Sequence, residues 1–244
     1  MSIQEQFGDT VDGTQAVRGA LEALSQSVNL LPAGSEAGLD AANGNQRWAL
    51  RLPKRFLDIA IAISALIFVL PLLGILAILI RLDSAGPVLF RQKRLGYRGQ
   101  PFDILKLRTM RVLENGEIII QASADDARTT RIGRWLRTLS LDELPQLINV
   151  VKGEMSLVGP RPHAWAHDML YARLIPDYGR RQSIKPGITG WAQIHGLRGP
   201  TPTVEIMSRR VEHDAWYADH ASLALDLKIL LRTPWELVRR RNAY

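Results

Sequence analysis

A chain of 244 residues without a single cysteine cannot form disulfides, thiolate metal centres or a cysteine nucleophile. Its apolar share of 46% is enough for the core of one domain with accessories. The net charge of +7 is unevenly placed: residues 1–46 hold six acids against Arg18 alone, −5, which leaves +12 for the rest. A basic body of that kind suits anionic headgroups, phosphorylated substrates or nucleic acid.

Residues 1–50 are rich in Gly, Ala, Ser, Asn and Gln. They read as a largely disordered acidic arm with one short helix near "AVRGALEALSQSV". The first 15 residues lack the positive start and apolar centre expected of a secretory signal, and no internal repeat is visible. A burst of positive charge follows in "RWALRLPKRF".

The next stretch, "IAIAISALIFVLPLLGILAILI", runs from Ile59 to Ile80 without a charge. As a straight helix it is about 33 Å long at roughly 1.5 Å per residue, enough for a hydrocarbon core of about 30 Å. The alternative of a buried soluble helix fits less well, because such helices are shorter and less uniformly apolar. Both flanks are basic: Arg47, Arg51, Lys54 and Arg55 before it, Arg81, Arg91, Lys93, Arg94 and Arg98 after it. Positive charge is retained on the cytoplasmic side, so a spanning helix should show a bias between its ends. Pro71 removes a backbone donor and crowds the preceding turn, and Gly74 loosens it further. Kinked spanning helices exist, yet proline plus symmetric flanks favour a re-entrant helical hairpin that breaks at Pro71.

Four polar blocks follow. In "GPVLFRQKRLGYRGQPFDILKLRTM", Lys106 and Arg108 lie two apart on a strand-like stretch and can share a face towards an anion or towards headgroups. In "DDARTTRIGRWLRTLSLDELPQLINVV", Ser140 to Glu143 matches the S-x-x-E capping box, which by itself accounts for both end residues. Pro145 is tolerable only near a helix start, placing Asp142 and Glu143 in the first turn. Free amides there attract phosphate, while two carboxylates would repel it unless a divalent cation or arginines such as Arg134, Arg137 and Arg161 intervene. A carboxylate so placed can attack phosphorus and form an acyl phosphate, with Mg²⁺ offsetting the charge of a diphosphate. In "KGEMSLVGPRP", Arg161 sits between two prolines, a preset backbone that suits bidentate phosphate recognition or a plain turn. In "KPGITGWAQIHG", Pro186-Gly187 reads as a tight turn and Trp191 as a core residue by default.

Near the C-terminus, Leu223, Leu227, Leu230, Leu231, Trp235 and Val238 share one helical face beside the cluster Arg239–Arg241. That pattern suits a helix lying in the headgroup zone or an ordinary core-packed helix. No dinucleotide-binding or Walker-type glycine loop is present, and His163 with His167 lacks the carboxylate of a metalloprotease site.

Taken in order, these blocks resemble the bacterial sugar transferases that start lipid-linked glycan assembly, the polyprenyl-phosphate hexose-1-phosphate transferases or monotopic phosphoglycosyl transferases. The similarity runs from Lys54-Arg55-Phe56-Leu57-Asp58 to about Leu231, and "LDELPQLINVVKGEMSLVGPRP", "KPGITGWAQIHG" and "DAWYADHASLALDLKIL" carry it. The resemblance implies a mostly helical α+β monotopic membrane protein: an arm at 1–50, a re-entrant hairpin at 51–82 and a cytosolic catalytic domain at 83–244 with an interfacial C-terminal helix. It implies transfer of a sugar-1-phosphate from a UDP-sugar to undecaprenyl phosphate on the cytoplasmic face of the inner membrane, with Mg²⁺ required and UMP released. Asp142 is then the nucleophile that forms a covalent phosphosugar, Glu143 assists through the metal or proton handling, and Lys106, Arg137 and Arg161 bind phosphate. Asp142 and Glu143 are the implied metal ligands. Where the family often has Ser before the break proline, this chain has Leu70.

Two other classes compete. A non-catalytic membrane-anchored module that recruits polysaccharide machinery needs only the hairpin, the basic face and capped helices. Nucleic-acid binding through the basic body is disfavoured by the apolar segment and by the few aromatics among the basic residues. The sugar, the glycan pathway and the oligomeric state are not encoded legibly.

Overall fold

The computed structural model describes residues 48–49, 51–111 and 126–239. The N-terminal arm, its expected helix, Arg47, and Arg240 with Arg241 lie outside the described residues.

The apolar run forms one helix, α1, Leu52–Asp83, which continues through Pro71. Pro53 occupies its first turn, where a missing amide is harmless, and Arg81 sits in the last turn, where the dipole favours a cation. This helix is long and apolar enough to cross a membrane, with a mean hydropathy of 3.0 and only 11% of its most apolar window buried. Lys54, Asp58, Ala62, Leu76 and Ile80 are its buried residues, and they fall in one stripe at helical spacing. Ile67, Phe68 and Leu70, 65–85% exposed, point away from the domain, and Pro71 is exposed with them.

Both polar ends of α1 are tied to the rest of the chain. At the start, Lys54 Nζ lies 3.0 Å from Asp58 and 2.8 Å from Asp226, and Trp48 and Tyr217 also donate to Asp226. Asp58 in turn accepts from the Ser156 hydroxyl and the Leu157 amide, so the two buried carboxylates share Lys54 and are otherwise satisfied by neutral donors. At the end, Arg108 donates to the carbonyls of Ile80, Ser84 and Ala85. Arg108 therefore caps the helix instead of sharing an anion-binding face with Lys106, because the orphan carbonyls and the negative dipole end offer it a closer partner. Asp83 accepts from the Ile132 amide at 3.1 Å.

Strands β1, Leu89–Leu95, and β2, Pro101–Leu107, pair antiparallel with Leu89 opposite Leu107. Helix α2, Arg131–Leu139, is capped by the Thr130 hydroxyl, which accepts from the Gly133 amide. A 3-10 turn, Leu141–Glu143, precedes α3, Gln146–Lys152. Then come β3, Ser156–Val158, α4, Trp165–Leu174, a 3-10 segment Tyr178–Ser183, and β4, Gly187–Thr189, parallel to β3. Helices α5, Trp191–Ile194, α6, Val204–His220, and α7, Leu223–Arg239, complete the described chain. The arrangement is mixed and mainly helical, as expected. The main core joins Phe102 and Ile104 of β2, Leu147 and Val150 of α3, Val158 of β3, Tyr217 of α6 and Ile229 of α7.

Helix α7 divides the expected apolar face. Leu230 packs against the core with buried Ile229, whereas Leu223, Leu227, Leu231 and Trp235 are exposed. Trp191 is half-buried and stacks on Trp216 with centroids 4.6 Å apart, so it is not a fully enclosed core residue.

Candidate active site

Helix α2 ends at Ser140, whose backbone is left-handed at φ 58°. That reversal starts the 3-10 turn and puts Asp142 and Glu143, both buried, at the mouth of α3. The expected capping box is absent: the Ser140 side chain makes no cap bond and instead accepts from Arg198 Nη2 at 2.7 Å. The reason is local. Ser140 closes the preceding helix, so it cannot also open the next one, and Pro145 is the residue that leads into α3. Asp142 and Glu143 consequently lie before the α-helix, in the tighter turn. A left-handed non-glycine residue beside a carboxylate pair is the kind of strain that accumulates at working sites.

Asn149 of α3 fixes the opposite wall. Its side chain accepts from the Leu105 amide at 3.0 Å and donates to the Asp103 carbonyl at 2.8 Å, which locks α3 on β2. Lys106 shares a face of β2 with the core residues Phe102 and Ile104, and its Nζ lies 3.1 Å from Glu143 Oε1. Arg161 donates to both Glu143 oxygens, 3.1 Å on the Oε2 side, and Arg198 Nη2 stands 3.7 Å from Oε2. Arg137 donates to Thr109 Oγ1 at 3.0 Å, and its charge acts on Asp142. The structure thus gathers Asp142, Glu143, Lys106, Arg137 and Arg161 in one place. Arg134 is exposed outside this cluster.

The two carboxylates differ. Burial alone would push Glu143 up, but Arg161, Lys106 and Arg198 together hold it well below the usual glutamate value, so it is ionised. Burial pushes Asp142 above the usual aspartate range; Lys106 opposes this and the Glu143 charge adds to it. Among the described residues no donor reaches the Asp142 carboxylate. Burial, against the pull of Glu143, draws Lys106 below the usual lysine range, with Arg161 adding repulsion. Four cations around two carboxylates leave an excess of positive charge, which suits an incoming diphosphate.

No group of three or more His, Cys, Asp or Glu side chains among the described residues could hold a metal ion unaided. His163 is buried against Tyr178 and Arg181, away from any such role. Of the expected ligand pair, Glu143 has both oxygens taken by Arg161 and Lys106, so the carboxylate open to Mg²⁺, a hard ion that completes its shell from phosphates and water, is Asp142.

Arg198 was not singled out by sequence reasoning. It stands in Gly196-Leu197-Arg198-Gly199-Pro200, an arginine framed by glycine and proline like Arg161, and that setting was the available signal.

Residues 49–240 match the family described as bacterial sugar transferase, and the chain belongs to that family. A Caulobacter vibrioides protein named UDP-glucose:undecaprenyl-phosphate glucose-1-phosphate transferase is 52% identical over 198 residues, 81% of this chain and 74% of that protein. An Escherichia coli protein of the same name is 48% identical over 194 residues, 80% of this chain but 42% of the relative. A Rhizobium leguminosarum bv. phaseoli protein named exopolysaccharide production protein PSS is 44% identical over 184 residues, 74% of this chain and 92% of its own length.

Proposed function

We propose that this sugar transferase moves a sugar-1-phosphate from a UDP-sugar to undecaprenyl phosphate, as an early membrane step of polysaccharide synthesis. The observation that carries this reading is the asymmetry of the dyad: Glu143 is saturated by cations, and Asp142 is buried with no hydrogen-bond donor among the described residues. A carboxylate not tied up by protein donors is open to act as a nucleophile once ionised. One Asp142 oxygen attacks the phosphorus attached to the sugar, the bond from that phosphorus to the UMP oxygen breaks, and UMP departs. The phosphate oxygen of undecaprenyl phosphate then attacks the same phosphorus and the Asp142 carboxylate leaves. Lys106, Arg137, Arg161 and Arg198 stabilise the charge spread over the phosphoryl oxygens, and Glu143 holds three of them in register. Mg²⁺, held by Asp142 with the diphosphate, would supply further neutralisation of that charge.

We place the reaction on the cytoplasmic face of the inner membrane, with α1 re-entrant. Three observations support this. The start of α1 is bound to Asp226 and its end to Arg108 and Ile132, all in one domain, whereas a straight helix of this length separates its ends by about 48 Å. Both flanks are basic. Pro71 lies on the exposed side, where a proline's clash with the preceding turn favours a bend towards the domain.

The test is UMP release by detergent-solubilised protein given undecaprenyl phosphate, Mg²⁺ and a panel of UDP-sugars, with Asp142→Asn alongside. Release with at least one sugar, lost in the variant, is expected. Silence with every sugar from a folded protein would move the non-catalytic recruitment reading to first place.

A further inference from the structure

We infer that buried Arg181 and half-buried Arg94, which make no hydrogen bond to the dyad, are positioning residues that act through Arg161; this rests on the transfer reading above. The loop Gly159-Pro160-Arg161-Pro162 has three consecutive carbonyls, and each takes a donor from a different part of the chain. The Pro160 carbonyl accepts from the Gly187 amide of β4 at 2.8 Å. The Arg161 carbonyl accepts from Arg181 Nη2 of the 3-10 segment. The Pro162 carbonyl accepts from Arg94 Nη1 of β1 at 3.2 Å.

Flanking prolines restrict the backbone but do not choose where the Arg161 side chain begins. Three bonds from three elements do. They hold the Arg161 backbone between its neighbours while the guanidinium grips Glu143 on the other side. A buried carbonyl could be satisfied more cheaply by an amide or water, since a guanidinium is costly to desolvate. The chain nevertheless commits two.

Arg181 is itself braced. Its Nε and Nη2 lie 3.2 and 3.0 Å from Asp214 of α6, and its Nη1 lies 3.2 Å from the Tyr178 hydroxyl and 2.7 Å from His163 Nδ1. An arginine can only donate, so His163 Nδ1 is the acceptor and the imidazole is neutral. Asp168 of α4 closes the group, accepting from Tyr178 at 2.7 Å and standing 3.5 Å from Arg181. Four partners fix one guanidinium, and its Nη2, already held by Asp214, also meets the Arg161 carbonyl. The relay runs Asp214, Arg181, Arg161, Glu143, from α6 to the dyad.

The test uses full-length protein in detergent and UMP release as the readout. Arg181→Lys and Arg94→Lys are each made in the unsubstituted protein and in an Arg161→Lys background. A lysine keeps the charge but cannot reproduce the fork, so each single variant is expected to lose about 10-fold or more in kcat. In the Arg161→Lys background the same changes should cost less than about twofold, because the group they position is already gone. Equal losses in both backgrounds, or none in either, would overturn the inference, since a residue that merely supports the fold acts regardless of Arg161. Silence of the unsubstituted protein with every UDP-sugar would sink the transfer reading alone. Hydrogen exchange over residues 156–163 would then read the clamp directly: faster in Arg181→Lys is expected, and unchanged exchange would overturn it.

Discussion

Arg161 donates two hydrogen bonds to Glu143, while Asp142, the adjacent residue, receives none from any described residue. Neighbours in sequence are thus opposites in environment. The fold favours protonated Asp142, whose value is raised by burial, so its stabilising contribution is complete below the unfolded aspartate value. It drains away as pH rises through the raised folded value. Asparagine mimics the protonated form without a charge to desolvate. Asp142→Asn should therefore abolish phosphosugar adduct formation by intact-protein mass spectrometry and raise the melting temperature at pH 7. The thermal gain should shrink on acidification, where wild-type Asp142 is itself protonated. A variant that melts lower than wild type at pH 7 would contradict the assigned environment.

Glu143 runs the other way. Its value is depressed by Arg161, Lys106 and Arg198, so its contribution is present above the unfolded glutamate value and is lost as pH falls through the folded one. Glu143→Gln leaves those cations facing one another in a largely buried site, at a cost of about 3–5 kcal/mol. For a domain of this size that is a drop of roughly 6–20 °C in Tm. Melting curves of the two single variants at pH 7 should therefore move in opposite directions. Movement in the same direction would show that the pair shares its proton instead of dividing the roles.

The run from Ile59 to Ile80 announced α1 in the sequence because twenty-two uncharged residues leave few alternatives. Pro145 pointed to a helix start near Asp142 and Glu143 but put the pair one turn too late, in the α-helix instead of the 3-10 turn before it. The S-x-x-E pattern misled about Ser140: a local motif cannot report that the previous helix ends on the same residue. Arg108 misled because alternation along a strand says which side a residue faces but not that the end of α1 waits there. Arg181 and Asp214 were invisible for a different reason. They lie 33 residues apart, and nothing local in either segment marks a buried ion pair.

The absence of cysteine makes the topology of α1 directly measurable. Leu52 and Leu82, 73% and 79% exposed, stand near its two ends and tolerate a small substitution. Single variants Leu52→Cys and Leu82→Cys, in oriented inner-membrane vesicles, should both react with a membrane-impermeant maleimide from the cytoplasmic side. Labelling of only one of them from that side would establish a spanning helix and discard the re-entrant placement.

Gly133 offers a test that separates position from charge. A Cβ there would sit 2.0 Å from the Thr109 carbonyl oxygen and 2.7 Å from its Cα, and neither is a flexible side-chain end that can swing aside. Helix propensity alone would favour alanine over glycine by about 1 kcal/mol. Overpacking against backbone costs about 1–3 kcal/mol and can exceed that gain, so Gly133→Ala should lower stability despite lying in a helix. The consequence reaches the site, because α2 must retreat from Thr109 while Arg137, one turn on, takes its orientation from the Thr109 hydroxyl. Gly133→Ala should thus slow adduct formation about as much as Arg137→Gln, and the two together should be little worse than either. Full activity in Gly133→Ala would mean that Arg137 finds its place without the contact between α2 and Thr109.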